Sequence, residues 1–305
     1  MESDSALVIT NPAANRGRCG AHVAALRSAH PATPNVRWIA TERAGHATEL
    51  ATIAAQSGCR VVVAAGGDGT VNEIVNGLMT VPAAQRPALG LLPLGSGNDL
   101  AFNCGLLAAP ASALQRALHG TPAALDAALI VDDAGRSRHY INVAGMLFDA
   151  AALMQAMRIQ YLRGPLIYLV AVVRTILQNH FPTRITLLVD GETSQHTLLM
   201  LTVANGAREG GGFICAPQAL PDDGWLDYVS VTEISRLQML RLLPEFLRGT
   251  QGRFGSVQFK RGRTFEISAD RAVPVHLDGE LWADYAANVR HLRITLLPGA
   301  LRLMR

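Results

Sequence analysis

The stretch Gly66-Gly67-Asp68-Gly69-Thr70-Val71-Asn72-Glu73-Ile74-Val75-Asn76-Gly77 constrains this chain more than any other. It follows the β-branched run Val61-Val62-Val63-Ala64-Ala65, and beyond it Val71, Ile74, Val75 and Leu78 fall on one helical face. The spacing predicts a buried strand, a glycine turn and a helix. Three glycines permit a tight turn and close approach of a ligand to the backbone, while the following helix offers amides to phosphate oxygens. The pattern lacks the GxGxxG spacing of a dinucleotide fold and the Lys-Ser/Thr end of a P-loop. Asp68 would repel a bare phosphate, so a magnesium nucleotide suits the turn better than a free anion. The competing reading is a purely structural turn.

A second stretch, Leu89-Gly90-Leu91-Leu92-Pro93-Leu94-Gly95-Ser96-Gly97-Asn98-Asp99-Leu100, again predicts a short strand entering a turn, with Asn98 or Asp99 starting the next helix. In a parallel sheet two such turns at strand carboxyl ends can share one ligand. The second turn therefore favours phosphate binding over the structural reading.

Together GGDGTVNEIVNGL and LPLGSGNDLA resemble the diacylglycerol kinase catalytic domain, in the bacterial lipid-kinase branch that includes sphingoid-base kinases and is related to NAD kinases. The resemblance extends over nearly the whole chain. It implies an α/β nucleotide-binding domain, a second and predominantly β sandwich-like domain, and magnesium-dependent transfer of the ATP γ-phosphate to a lipid hydroxyl. Ser96 stands where the family most often has threonine, which keeps the hydroxyl.

With 305 residues, 49% of them apolar and 17% charged, the chain can bury a large core and is expected to form two domains. A formal charge of +3 permits attraction to ATP or an anionic membrane, yet no basic stripe with interleaved aromatics points to nucleic acid. Cys19, Cys59, Cys104 and Cys215 are scattered, without metal-ligand spacing, and no segment reads as a secretory leader. Reduced thiols and a cytoplasmic location are expected, with transient contact at the inner membrane face. The apolar run from Pro165 to Val173 is too short to span a bilayer, so membrane association would be peripheral. A homo-oligomer is compatible with everything in the sequence.

Near the start, Ala6-Leu7-Val8-Ile9-Thr10 predicts a strand and Asn11-Pro12-Ala13-Ala14-Asn15-Arg16-Gly17 a loop. The resemblance gives Asn11 and Arg16 phosphate contacts, with Asn15 replacing the usual glycine at a position where Asn tolerates a left-handed turn. By the same resemblance Thr41 contacts nucleotide. His46, in Gly45-His46-Ala47, is read as a structural helix-start residue rather than a base. The nucleotide set is completed by Gly66, Gly67, Asp68, Gly69, Thr70, Gly95, Ser96, Gly97 and Asn98, with Asp68 also a metal ligand.

Strand and helix alternate to about residue 130, and then the pattern changes to paired strands. The boundaries expected are 1–134 for the nucleotide domain, 135–288 for the lipid-binding domain, and 289–305 for a tail that returns to the first domain. Asn142-Val143-Ala144-Gly145-Met146-Leu147-Phe148-Asp149-Ala150 resembles a family segment in which Leu147 stands at a glycine position. Leu147 is therefore expected to reshape the acyl cleft. Met154, Met157, Ile159, Tyr161, Leu162, Leu166 and Tyr168 are either groove lining or ordinary core.

Two acidic turns remain. Asp222-Asp223-Gly224 reads as a solvated turn by itself, and the family resemblance makes it a structural magnesium site through Asp222 or Asp223. Asp278-Gly279-Glu280 reads as a hairpin turn, and the resemblance makes Asp278 the base that takes the lipid hydroxyl proton, with Glu280 beside the cofactor. His276 is the weaker base candidate. The function expected is ATP-dependent phosphorylation of diacylglycerol or a related lipid. The alternatives are a sphingoid-base or phosphatidylglycerol kinase, and a non-catalytic nucleotide-binding regulator.

Overall fold

A computed structural model describes residues 6–29, 35–159, 165–178 and 181–305. Tyr161, Leu162 and the side chains of Leu166 and Tyr168 lie outside the described residues. The chain forms two compact units, residues 1–127 with 298–305, and residues 128–297.

In the first unit β1 (Ala6–Thr10), α1 (Arg18–Ala29), β2 (Val36–Ala40), α2 (His46–Gln56), β3 (Val61–Gly66), α3 (Asp68–Leu78) and β4 (Ala88–Pro93) alternate, followed by α4 (Asp99–Asn103) and α5 (Pro110–His119). The strands are parallel in the order β4-β3-β1-β2. Every residue of β1 and β3 is buried, as strands covered on both faces require, which is why both read as unbroken apolar runs. Val71, Ile74, Val75 and Leu78 are buried on α3, and Gly77 lets α2 approach: a Cβ there would lie 2.4 Å from the Thr48 carbonyl oxygen. Gly66 at the end of β3 pairs with Pro93 at the end of β4, so both glycine turns leave neighbouring strands at the same end of the sheet.

The chain enters the second unit within β5 (Pro122–Asp132) and continues through β6 (Ser137–Tyr140), β7 (Val143–Leu147), α6 (Phe148–Met157), α7 (Pro165–Gln178), β8 (Thr183–Val189) and β9 (Glu192–Ala204). Then come β10 (Arg208–Glu209), β11 (Phe213–Ile214), β12 (Leu226–Thr232), α8 (Arg236–Arg248), β13 (Val257–Gly262), β14 (Thr264–Ala269), β15 (Val275–Leu277), β16 (Glu280–Ala283) and β17 (His291–Met304). The two units exchange at 127/128 and 297/298, inside two long strands, and not at the Ala134-Gly135 turn or at residue 289. A turn is visible in a sequence, whereas the point at which one strand changes its packing partners is not.

Antiparallel pairing runs β16-β15-β7-β9-β8-β14, and β12 joins β9 to β13. Period-two alternation gives this sheet two apolar faces. From β9, Leu201 and Val203 enter a core with Tyr140, Phe265 and Leu277, while Met200 and Ala204 enter another with Ile176, Met239 and Phe246. Helices α7 and α8 contribute to the second core. Asp190-Gly191 and Asp278-Gly279 both have two successive positive φ angles (48° and 93°, 50° and 80°) and close tight hairpins.

Candidate active site

The two glycine turns of the first unit touch through their backbones. A Cβ on Gly95 would lie 2.3 Å from the Gly67 Cα, and one on Gly66 would lie 2.5 Å from the Thr70 hydroxyl. Real Cβ atoms do not approach so closely, so these glycines are required by the turns themselves before any ligand arrives. Asp68, in the first turn of α3, accepts the Asp99 amide at 2.6 Å and the Leu100 amide at 3.4 Å through Oδ1. Asn98 occupies the N-cap position of α4 at φ 54°, but its side chain turns back on Gly95, accepting its N–H at 2.8 Å and donating to its carbonyl at 3.0 Å. Asp68 thus serves the start of α4 from the neighbouring turn. Gly67, the N-cap of α3, brings no capping side chain to its own helix.

The other nucleotide candidates of this unit divide. Asn11 donates to the Thr70 hydroxyl at 3.1 Å, joining the end of β1 to α3. Asn15 and Arg16 both adopt left-handed backbone, φ 51° and 56°, followed by Gly17 at 86°, and Arg16 is exposed. Thr41 donates its amide to the Thr10 carbonyl at 2.8 Å. Ser96 is exposed at the tip of its turn. His46 accepts the Glu42 amide through Nδ1 at 3.1 Å, a helix-start role. Glu73, inside the long motif, accepts the amides of Gly45 and Ala47 and so caps α2. Part of the motif is therefore spent on helix packing.

In the second unit Asp278 is buried, and its carboxylate accepts three backbone amides: Asn142 and Val143 on Oδ1, both at 2.9 Å, and Ile141 on Oδ2 at 3.1 Å. Glu280 pairs with Arg138 at 2.5 Å. Asp223 accepts the Trp225 amide and meets Arg261 at 3.3 Å, and the same guanidinium reaches Asp227 at 3.0 Å.

A cavity of about 120 Å³ lies on the α-helical face of the β9 sheet. Ala152 and Leu153 of α6, Val172 and Ile176 of α7, and Met239 and Phe246 of α8 give it apolar walls. Leu147 does not line it. Its side chain belongs to the opposite core, while its backbone sits at φ 63°, ψ −117°, a conformation that favours glycine. Nor do Met154, Met157 or Ile159 line it, although they share α6 or follow it closely. The residues of α8 had no signal beyond an ordinary amphipathic helix.

One group of polar residues also lines this cavity. His276 Nε2 lies 3.3 Å from Asp149 Oδ1 and 3.7 Å from Glu209 Oε2, Thr202 donates to Asp149 Oδ2 at 2.9 Å, and Cys215 Sγ lies 2.6 Å from Glu209 Oε1. Gly145 makes room for them, since a Cβ there would fall 2.1 Å from His276 Nε2. Burial opposes the imidazolium, but the charge and hydrogen bond of Asp149 together with the charges of Glu209 and Asp278 outweigh it and raise His276 to about 9. Burial, then the charge of Asp149, raises Glu209 to about 8. Burial acts against the Asp149 carboxylate as well, yet the imidazolium holds it below its ordinary value. These shifts favour an imidazolium at His276 beside the Asp149 carboxylate, with the proton held on Glu209, and the Asp278 charge acts on His276 as well. His276 Nδ1 is buried and has no hydrogen-bond partner among the described residues. Sequence reading noticed His276 but not Asp149 or Glu209, because they are brought together from α6, β10 and β15.

These three residues are the one group of at least three His, Cys, Asp or Glu side chains among the described residues whose ligand atoms lie within 4.8 Å of one another. Magnesium prefers oxygen ligands, and a protonated imidazole cannot ligate, so this set fits magnesium poorly. Asp68 offers a hard oxygen ligand, but the hollow of about 10 Å³ beside it is walled mostly by Ala64, Val71, Leu91, Pro93, Leu100 and Ala101, so carbonyl and water oxygens would have to complete a cation site there.

The first unit is thus a parallel sheet with paired glycine turns, and the second an antiparallel sheet with an apolar cavity. Residues 5–130 match the diacylglycerol kinase catalytic domain, and residues 142–305 match the YegS C-terminal NAD kinase beta sandwich-like domain. The chain belongs to this diacylglycerol kinase-like family of lipid kinases. It is 32% identical to a probable lipid kinase YegS-like protein of Chromohalobacter salexigens, over 98% of this chain and 92% of that protein. It is 29% identical to a diacylglycerol kinase of Mycobacterium tuberculosis, over 97% and 94%. Among solved structures, a diacylglycerol kinase of Bacillus anthracis superposes with a TM-score of 0.77 at 23% identity, covering 99% of this chain and 96% of that one. Yeast NADH kinase shares the fold at a TM-score of 0.52 and 14% identity, over 96% of this chain and 78% of its own.

Proposed function

We propose that this chain catalyses magnesium-dependent transfer of the ATP γ-phosphate to the hydroxyl of a lipid, a diacylglycerol or a close relative. The observation that carries this reading is the apolar cavity lined at one place by Asp149, Glu209 and His276. An amphiphile needs both, a dry wall for its chain and a few fixed polar groups for its head. The large apolar side chains exposed on α7 and α8, among them Leu177, Leu237 and Leu247, belong to helices that also line the cavity. They suit peripheral contact with the membrane from which such a lipid would come. No helix among the described residues is long and apolar enough to cross a membrane.

In the first unit the amides at the start of α3 and of the Gly95-to-Asn98 turn stabilise phosphate charge, with Arg16 and Asn11 nearby in the chain's first loop. Magnesium, when bound, neutralises charge on the transferred phosphate, and Asp68 is the residue that would hold it. Asp222 and Asp223 are proposed for a structural cation. Arg261 already occupies one side of Asp223, so carbonyl and water oxygens would have to complete such a site. Asp278 takes the hydroxyl proton through Oδ2, because Oδ1 already accepts two amides. Glu280, held by Arg138, keeps the hairpin beside it in place.

The test is a labelled-ATP assay against diacylglycerols, phosphatidylglycerol, ceramide and sphingoid bases, run for the wild type and for Leu242→Trp, which fills the cavity. Phosphorylation of a diacylglycerol that the variant loses, with ATP binding retained, supports the reading. A protein that binds ATP yet phosphorylates none of these lipids is a nucleotide-binding regulator instead.

A further inference from the structure

A second cavity, of about 500 Å³, lies in the first unit at the end of the sheet where β3, β4 and β5 begin. Arg60 directly precedes β3, Ala88 and Pro122 open β4 and β5, and Arg302 comes in on β17, whose next residue, Leu303, pairs with Leu89. The glycine turn follows the other end of β3. Five strand rises separate Val61 from Gly66, roughly 17 Å.

Three guanidinium groups line this cavity, those of Arg60, Arg86 and Arg302. Each is held by backbone carbonyls. Arg60 donates to Leu118 at 2.8 Å, Arg86 to Val81 at 3.0 Å and Ala300 at 2.7 Å, and Arg302 to the carbonyl of Arg86 at 2.6 Å. Among the described residues no carboxylate pairs with any of them, and none lines the cavity. Burial works against the charge of Arg86 with nothing acidic to offset it. Like charges gathered around one hollow repel each other, and carbonyl anchoring fixes side chains that would otherwise swing apart into water. Arg86 has a structural reason to be there, since it ties the last strand to the segment before β4. Arg60 and Arg302 are exposed and line the same cavity, Arg302 tied to the Arg86 carbonyl and Arg60 to that of Leu118.

We propose that this cavity is a second anion site, which takes a phosphate group through Arg60, Arg86 and Arg302. An arginine has five N–H donors in a planar fork, and the carbonyls engage one or two on each, so the remainder can meet phosphate oxygens from three sides. The phosphate can come from a soluble phosphate compound or from the headgroup of an anionic phospholipid. In either case the site lies at the opposite end of β3 from the turns assigned to ATP, so occupancy does not compete with nucleotide.

The experiment uses the full chain with the nucleotide turns saturated by a non-hydrolysable ATP analogue. Calorimetry with inorganic phosphate and with pyrophosphate reads the soluble source. Co-sedimentation with phosphatidylcholine vesicles, with and without phosphatidic acid, reads the lipid source. Arg60→Gln/Arg302→Gln should weaken whichever binding is seen by at least about tenfold, with melting temperature and ATP affinity unchanged. Arg60→Glu alone, at an exposed position, should do the same and guards against a folding defect in the double variant. Saturable phosphate or pyrophosphate binding lost in the variants identifies a soluble ligand. Binding confined to phosphatidic acid vesicles and lost in the variants identifies a headgroup. No binding in either arm, or binding that both variants retain, overturns the proposal. None of these readouts requires lipid phosphorylation, so the outcome stands apart from that of the kinase assay.

Discussion

The Oδ1 atom of Asp68 lies 2.6 Å from the backbone nitrogen of Asp99, across from one glycine turn to the other. This single acceptor makes the carboxylate a tie between two loops, and Asp68 is the one carboxylate that lines the small hollow beside them. Asp68→Asn keeps an acceptor oxygen for the Asp99 amide and removes the charge. Turnover is expected to fall by about two to three orders of magnitude while the melting temperature changes little. Titrating magnesium at saturating ATP checks it, and wild-type turnover at limiting magnesium would remove Asp68 from the metal.

Gly95→Ala tests the contact between the turns. Its Cβ would lie 2.3 Å from the Gly67 Cα, and neither backbone can yield without moving its helix. A loss of about 1–3 kcal/mol in stability is expected, together with weaker ATP binding. Unfolding in urea and nucleotide titration report the two effects separately. Normal ATP affinity in a destabilised variant would leave the turns with a structural role only.

Gly145→Ala makes the matching test in the second unit, where the added Cβ would fall on His276 Nε2 and Asp149 Oδ2. Lipid-dependent turnover is expected to drop at least about tenfold, while ATP affinity is preserved. An unchanged KM for lipid would separate the cluster from headgroup recognition.

The protonation state of that cluster predicts how stability varies with pH. His276 is raised from 6.5 to about 9, and Glu209 from 4.5 to about 8, so both bind protons more tightly folded than unfolded. Their contributions are complete on the acid side. That of Glu209 is lost as pH rises from 4.5 to about 8, and that of His276 from 6.5 to about 9. Asp149, shifted downward, works the other way, and its contribution is lost as pH falls through its lowered value. The melting temperature should therefore decline between neutral pH and about 9, and the decline should be shallower in His276→Gln. Thermal scans of both proteins decide the point; parallel slopes would mean that His276 is neutral when folded.

Asp278→Asn is less conservative than the shape of the side chain suggests. Three amides point at the carboxylate, and an asparagine presents an N–H₂ to one of them. A cost of about 1–3 kcal/mol is expected alongside a loss of about two to four orders of magnitude in phosphoryl transfer. Single-turnover rates measured well below the variant's melting temperature separate the two. A near wild-type rate there would make Asp278 a hairpin anchor alone.

Local pattern was enough to place the strand, turn and helix around Gly66 to Leu78, the second turn at Gly95 to Asn98, and both Asp-Gly hairpins. Those features depend on neighbours a few residues apart, through buried β-branched runs, positive φ angles and helical spacing. Leu147 shows the limit. Its position in the chain announced a glycine-like backbone, and φ 63° agrees, but its side chain enters the core opposite the cavity beside that of Met146, because the positive-φ backbone at the end of β7 breaks the alternation of the strand. The same limit hid the cluster. Asp149, Glu209 and His276 are separated by 60 and 67 residues, and no spacing rule links them. Only the antiparallel register that lays β15 on β7, with Gly145 opposite His276, brings the imidazole to the carboxylates. Arg60, Arg86 and Arg302 likewise converge because parallel strands begin at one end of a sheet and the last strand returns beside β4. Sequence determined the backbone at the Asp-Gly hairpins, where local sterics settle it, whereas the contact of Gly95 with Gly67 and the choice of which charges share a site were decided by the tertiary structure alone.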